Sequence, residues 1–172
     1  MGHKLLIRSL KAVLVLLGFL LHSVQVNAQA LRELPPLLRD ISDEVGALSD
    51  AQGQALATMI ADVQRETGVR IVIVIAETTA PESIEAYTAR HSNYWFTKRP
   101  RMRGEERIFL VVDLKDGSVR LATGEKMASL IDKISKSQFM ADLLPLFKRG
   151  EYYRALTSIV ERLSKVIRQR ST

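Results

Sequence analysis

The sequence predicts an α/β fold: a three-layer α/β/α sandwich with a small mixed sheet of three to four strands flanked by helices. Three observations predict it. Residues 70–76, RIVIVIA, are an unbroken β-branched run of the kind buried on both faces, which requires helices above and below. A second run, RIFLVVD at 107–113, follows a stretch of helical periodicity, so the two strands and the helix between them form a β-α-β unit with parallel strands. A third run, SVRLATG at 118–124, follows Asp116-Gly117, a strong hairpin signal, and pairs antiparallel with the second.

Each element has its own local warrant. Pro35-Pro36 in ALRELPPLLRD resists helix and marks residues 31–40 as a linker, with a single folded domain over 41–170. Ser49 followed by Gln52 makes a capping box, and Leu56, Met59, Ile60 and Val63 recur at helical spacing until Gly68, which predicts a first helix over 50–67. Ile84, Tyr87, His91 and Trp95 mark a second helix over 82–96, with Pro81 at its start, where proline is tolerated. The last third is helical throughout. Met127, Leu130, Ile131 and Ile134 carry one piece and Phe139, Met140, Leu143 and Leu144 the next, which Pro145 breaks. After Gly150, the stripe Leu156, Ile159, Val160, Leu163, Val166 and Ile167 defines a long final helix with a core-facing side.

Composition narrows the chemistry. The 172 residues suit one domain and one core, and the absence of cysteine excludes disulfides, thiolate metal sites and cysteine nucleophiles. Residues 1–30 read as a secretory signal: Lys4, Arg8 and Lys11 without an acid, then AVLVLLGFLL, then Ala28 and Ala30 in an A-x-A pattern. Cleavage near Ala30 places the mature chain in the periplasm or outside the cell; a retained segment would anchor it. Removing those three basic residues from 25 leaves 22 against 19 acids, a net charge of about +3, too mild to argue for nucleic acid. His91 is then the single histidine of the exported chain, and its place among Tyr87, Tyr94 and Trp95 on a helix assigns it to packing.

Two segments carry candidate binding residues. With Asp116-Gly117 as a two-residue turn, Arg107 falls opposite Lys126, so Glu105, Glu106 and Glu125 share one edge of the sheet. Clustered carboxylates are what Ca²⁺ or Mg²⁺ requires of oxygen ligands, although Arg103, Arg107 and Lys126 are interleaved with them and ordinary ion pairing accounts for the same pattern. The other segment is WFTKRPRMR, where Lys98, Arg99, Arg101 and Arg103 stand beside Trp95 and Phe96. Such a loop suits anionic lipid or an acidic partner surface. The AETTAPES junction at 76–83 lies beyond the carboxyl end of a parallel strand, where ligands often bind, but Thr79 and Ser83 read first as capping groups of a turn.

The motifs DEVGALS, TGVRIVIVI, PESIEAY, VDLKDGSVRLATG and PLFKRGEYYRAL occur in an order that resembles the TPM domain family, over about residues 40–168. That family is named for its thylakoid lumen, photosystem repair and nematode receptor-modulator members. The resemblance implies an exported or lumenal α/β/α domain, often close to a membrane, with phosphatase activity and divalent-cation binding in some members. Members of the family commonly carry a glycine-and-lysine loop ending in Asp-Asn-Gly before the second strand and Gly-Tyr-Gly-Leu-Glu after the third. This chain has RPRMRGEER at 99–107 and TGEKMA at 123–128. The expected function is therefore a noncatalytic accessory or interaction module, associated with an envelope or membrane protein or an anionic surface. The alternative is a divalent-metal-dependent phosphatase of modest activity using Glu105, Glu106 and Glu125.

Overall fold

A computed structural model describes Leu31, Leu34 and residues 40–98, 106–135 and 138–170. The elements in order are β1 (Ile41–Asp43), α1 (Asp50–Thr67), β2 (Arg70–Ala76), α2 (Ile84–Lys98), β3 (Arg107–Asp113), β4 (Ser118–Thr123), a 3₁₀ turn (Glu125–Met127), α3 (Ala128–Ser135), α4 (Gln138–Lys148) and α5 (Tyr152–Arg170). The sheet has the order β1-β2-β3-β4. β1, β2 and β3 are parallel and β4 is antiparallel to β3.

Alternation along the two central strands divides the core. Ile71, Ile73 and Ile75 of β2 and Ile108, Leu110 and Val112 of β3 face α1 and α5, meeting Leu56, Ile60, Leu156, Ile159 and Leu163. Val72, Val74, Phe109 and Val111 point the other way, onto Tyr87 and Trp95 of α2, with Leu34 packed alongside. Both strands are buried at every position after the first. Their β-branched composition follows from that burial. The final helix supplies the stripe that its spacing predicts: Leu156, Ile159, Val160, Leu163 and Ile167 are all buried.

The termini of α1 and α4 are fixed by their own sequences. The Ser49 hydroxyl accepts the Gln52 N–H at 3.3 Å while the Gln52 side chain accepts the Ser49 N–H at 3.0 Å. Gly68 then ends α1 at φ 73°. At the end of α4, Gly150 stands at φ 74°, and the Gly150 and Glu151 N–H groups donate to Phe147 and Leu146. This is the paired closure of a Schellman motif.

Four sequence expectations need correction or extension. The hairpin loop holds four residues, 114–117, so β3 pairs Ile108 with Thr123 and Asp113 with Ser118. Arg107 therefore faces Gly124, whose N–H donates to the Arg107 carbonyl, and not Lys126. The cause is local: Leu114 and Lys115 donate to Ala76 and Glu77 of the neighbouring strand, and Asp113 Oδ1 accepts the Asp116 N–H, so the chain cannot turn back sooner. Pro81 follows a cis peptide bond in a turn, and α2 starts at Ile84, two residues later than expected, with the Ser83 hydroxyl accepting the Ala86 N–H. Pro145 lies inside α4 and does not end it. Its carbonyl accepts the Arg149 N–H, and Ala141, whose carbonyl loses a helical partner to proline, is exposed. Finally, β1 is a short strand held by the Ile73 N–H on the Asp40 carbonyl and the Glu44 N–H on the Ile75 carbonyl.

Candidate functional site

Three parallel strands direct their carboxyl ends to one edge of the sheet, the usual place for a ligand crevice. Two carboxylates stand there, Asp43 at the end of β1 and Asp113 at the end of β3. Both hold backbone. Asp43 accepts the N–H groups of Val45, Ala47 and Leu48 at 3.3, 3.0 and 2.8 Å, bending the chain from β1 into the cap of α1. Asp113 is fully buried and accepts the Thr79 N–H at 2.7 Å, the Thr79 hydroxyl at 2.9 Å and the Asp116 N–H at 3.0 Å. It thereby ties the AETTAPES junction to the hairpin turn.

Of the two expected capping groups in the junction, Ser83 acts as one and Thr79 does not. Ser83 caps α2, and Thr78 Oγ1 accepts the Ala80 N–H at 3.2 Å. Thr79 does not cap the helix. Its hydroxyl turns inward to Asp113, with the Glu82 carbonyl at 3.3 Å as a second acceptor. Glu82 in turn grips Arg90 through two hydrogen bonds, and the Arg90 guanidinium lies 5.8 Å from the Tyr87 ring centroid. The Glu82 carboxylate raises the Arg90 pKa above its usual value. The next residue, His91, is fully buried, with its ring 5.2 Å from Tyr87 and 5.4 Å from Phe109. Among the described residues neither ring nitrogen has a hydrogen-bond partner. Desolvation, helped by the Arg90 charge, lowers the His91 pKa to about 4. His91 is thus a neutral packing residue.

At the opposite edge, Glu106 precedes β3 and its carboxylate lies against Gly68, 3.9 Å from where a Cβ on that glycine would stand. Glu125 opens the 3₁₀ turn after β4 and is exposed. The corrected register puts positions 106 and 125 at the same end of the hairpin, beyond the Arg107–Gly124 contact. Glu105 lies outside the described residues, as do Arg99, Arg101 and Arg103; Lys98 is the last residue of α2. Among the described residues no group of three or more His, Asp or Glu side chains is placed to hold a metal ion. Nearby, Arg70 donates through Nε to Asp40 at 2.8 Å and lies 5.2 Å from the Trp95 ring centroid, fixing the linker exit to the start of β2.

Sequence reasoning passed over Asp43, Asp113 and the Asp40–Arg70 pair. A signal for Asp113 was present, since it ends an apolar strand just before the turn sequence LKDG, whereas the short Ile-Ser-Asp strand gave none for Asp43. Such an acid is well placed to accept the loop's N–H groups. The signal segment 1–30 also lies outside the described residues, and among those described no helix is long and apolar enough to cross a membrane.

Several solved structures share this architecture. The N-terminal domain of a protein from P. gingivalis superposes with a TM-score of 0.65 at 24% identity, covering 75% of this chain and 82% of that one. The N-terminal domain of the cg2496 protein from Corynebacterium glutamicum gives 0.57 at 14% identity, covering 78% and 84%. The BA42 protein from the psychrophilic bacterium Bizionia argentinensis gives 0.58 at 12% identity, covering 71% and 82%. At these identities the likeness is one of fold. No curated protein matches significantly. The family model of the TPM domain matches residues 41–166, the whole of the layered domain from β1 into α5, and the chain belongs to the TPM domain family.

Proposed function

We propose that this TPM domain acts as an exported, noncatalytic accessory module that binds a partner at the cell envelope. The observation that carries the reading is the employment of the crevice acids: Asp43 and Asp113 each accept three protein hydrogen bonds. Carboxylates so engaged act as braces for the loops that frame the sheet edge. Export is supported by the n-region, apolar core and A-x-A order of residues 1–30. An anionic envelope surface is supported by the four cations Lys98, Arg99, Arg101 and Arg103 beside Trp95 and Phe96.

The test is an assay of the full chain on a generic phosphomonoester with and without Ca²⁺, Mg²⁺ or Mn²⁺. The expected result is no turnover above the metal-only blank. Metal-dependent turnover that disappears when Glu105, Glu106 and Glu125 are changed to Ala would replace this reading with a phosphatase. Co-sedimentation with anionic vesicles, before and after changing the four loop cations to Ser, tests the surface component; equal binding by the two proteins removes it.

A further inference from the structure

We infer that the free edge of β1 is a docking site for an extended, cationic peptide segment of a partner protein, which adds to the sheet as a fifth strand. The inference rests on the interaction-module reading and goes further by naming the surface and the kind of partner.

Among the described residues no strand pairs with the outer edge of β1. β1 bonds to β2 through the Asp40 carbonyl, the Ser42 peptide groups and the Glu44 N–H, as the register and the two bracketing hydrogen bonds require. Strand alternation then turns the N–H and C=O of Ile41 and Asp43 away from β2. A groove of about 720 Å³ is lined by Ile41 and Asp43 of β1 and by the first turns of α1, next to that edge strand. Two donors and two acceptors at strand spacing are met together by one ligand chemistry, another extended backbone.

A second observation concerns Gly53. It lies within α1 at a helical position, lines the groove, and has nothing within 4 Å of where a Cβ would be. No packing demand explains glycine there, and glycine weakens a helix relative to alanine. What its missing side chain leaves is clearance for a backbone passing between helix and strand. Gly46, also on the groove, stands at φ 67°, a left-handed turn position that itself favours glycine, so Gly53 alone carries this point.

Charge selects the occupant. The groove is lined by Asp40, Asp43 and Asp50 against one cation, Arg70, and Arg70 is already paired with Asp40. Asp50 is exposed at the start of α1. This acidic lining attracts a short cationic strand locally, while the net charge of about +3 left once residues 1–30 are removed weakly disfavours a second copy.

The experiment titrates the isotope-labelled full chain with an acetylated, amidated peptide of four Lys-Val repeats and follows backbone amide shifts. The expected result is saturable shifts at Ile41, Asp43 and Gly53, with binding weakened about tenfold or more in Gly53→Phe and in Asp50→Lys. Gly53→Phe should leave the remaining spectrum and the melting temperature close to wild type, because its side chain enters open space. A peptide with proline at its two central valines should bind about tenfold more weakly, since it lacks the N–H donors of a strand. The proposal is overturned if no shifts appear by about 1 mM peptide, if Gly53→Phe or the proline peptide binds as well as its parent, or if the same shifts arise from raising protein concentration alone. Those outcomes leave the accessory reading standing, whereas metal-dependent phosphatase turnover would remove that reading whatever the peptide does.

Discussion

Lowering the pH from about 7.5 to 5 should destabilise this domain through His91, and a single substitution should abolish that part of the loss. The ring is fully buried between Tyr87 and Phe109, and its folded pKa is about 4 against an ordinary value of 6.5. The charged groups facing it are Arg90, which lowers the pKa, and Glu82, which raises it by less than burial lowers it. Because the folded pKa is depressed, the unfolded chain binds the proton first as pH falls. Stability is therefore flat above about pH 6.5, falls between 6.5 and 4, and is flat again below. At pH 5 the unfolded state is nearly all protonated and the folded state about one-tenth so, a loss of about 2 kcal/mol relative to pH 7.5. His91→Leu removes the proton site and, with no hydrogen bond lost at either ring nitrogen, should change stability at pH 7.5 by about 1 kcal/mol or less. Urea unfolding of both proteins at both pH values gives the double difference, expected near 2 kcal/mol. A double difference below about 0.5 kcal/mol would refute the burial argument, as would an NMR titration of the His91 ring with a midpoint near its ordinary value.

Other substitutions probe other parts of the fold. Asp113→Ala strands the Thr79 N–H and hydroxyl and the Asp116 N–H, and should cost about 3 kcal/mol in urea unfolding, with Asp113→Asn intermediate; a loss under 1 kcal/mol would mean that these donors find water. Gly53→Ala should raise stability by about 0.5–1 kcal/mol, since the new methyl meets nothing and glycine is the poorer helix former; a lower melting temperature would show strain that open space does not predict. Gly150→Ala forces a Cβ into the left-handed region at φ 74° and should destabilise by about 1 kcal/mol. Leu156→Ala empties a fully buried position against the β2 and β3 face and should cost about 3 kcal/mol, most of it as faster unfolding if α5 docks late.

The central sheet was legible because burial dictates its composition. A strand covered on both faces has no polar alternation to offer, and RIVIVIA and RIFLVVD show that pattern with bounds that agree with β2 and β3. Helix α1 was legible because its start and stop are written as a capping box and a glycine. β1 was not, since three half-buried residues, Ile-Ser-Asp, carry neither period nor length. Its strand character comes from the neighbour's unpaired edge, a tertiary cause. The hairpin register failed for a related reason: Asp116-Gly117 does lie in the loop, but the hydrogen bonds of Leu114 and Lys115 to the end of β2 extend it by two residues. Local turn chemistry locates a reversal, and the third strand sets its length.

The same distinction governs the carboxylates. In the sequence, Glu105, Glu106 and Glu125 and the acids at 43 and 113 are alike in kind, and clustering singles out the first group. In the fold, Asp43 and Asp113 each have three fixed backbone or side-chain donors. An acid that ends a buried strand faces a loop whose first N–H groups have left the ladder, so it is drawn to them as surely as to a cation. Asp43 and Asp113 occupy equivalent places at the ends of two parallel strands and meet this need in the same way, each collecting three donors from the segment that follows or adjoins it. At the edge where parallel topology commonly places ligands, both strand-ending acids hold loops. Among the described residues, the Ile41 and Asp43 peptide groups of edge strand β1 point away from β2, and the hydrogen-bonding capacity that they direct outward is what the peptide titration tests.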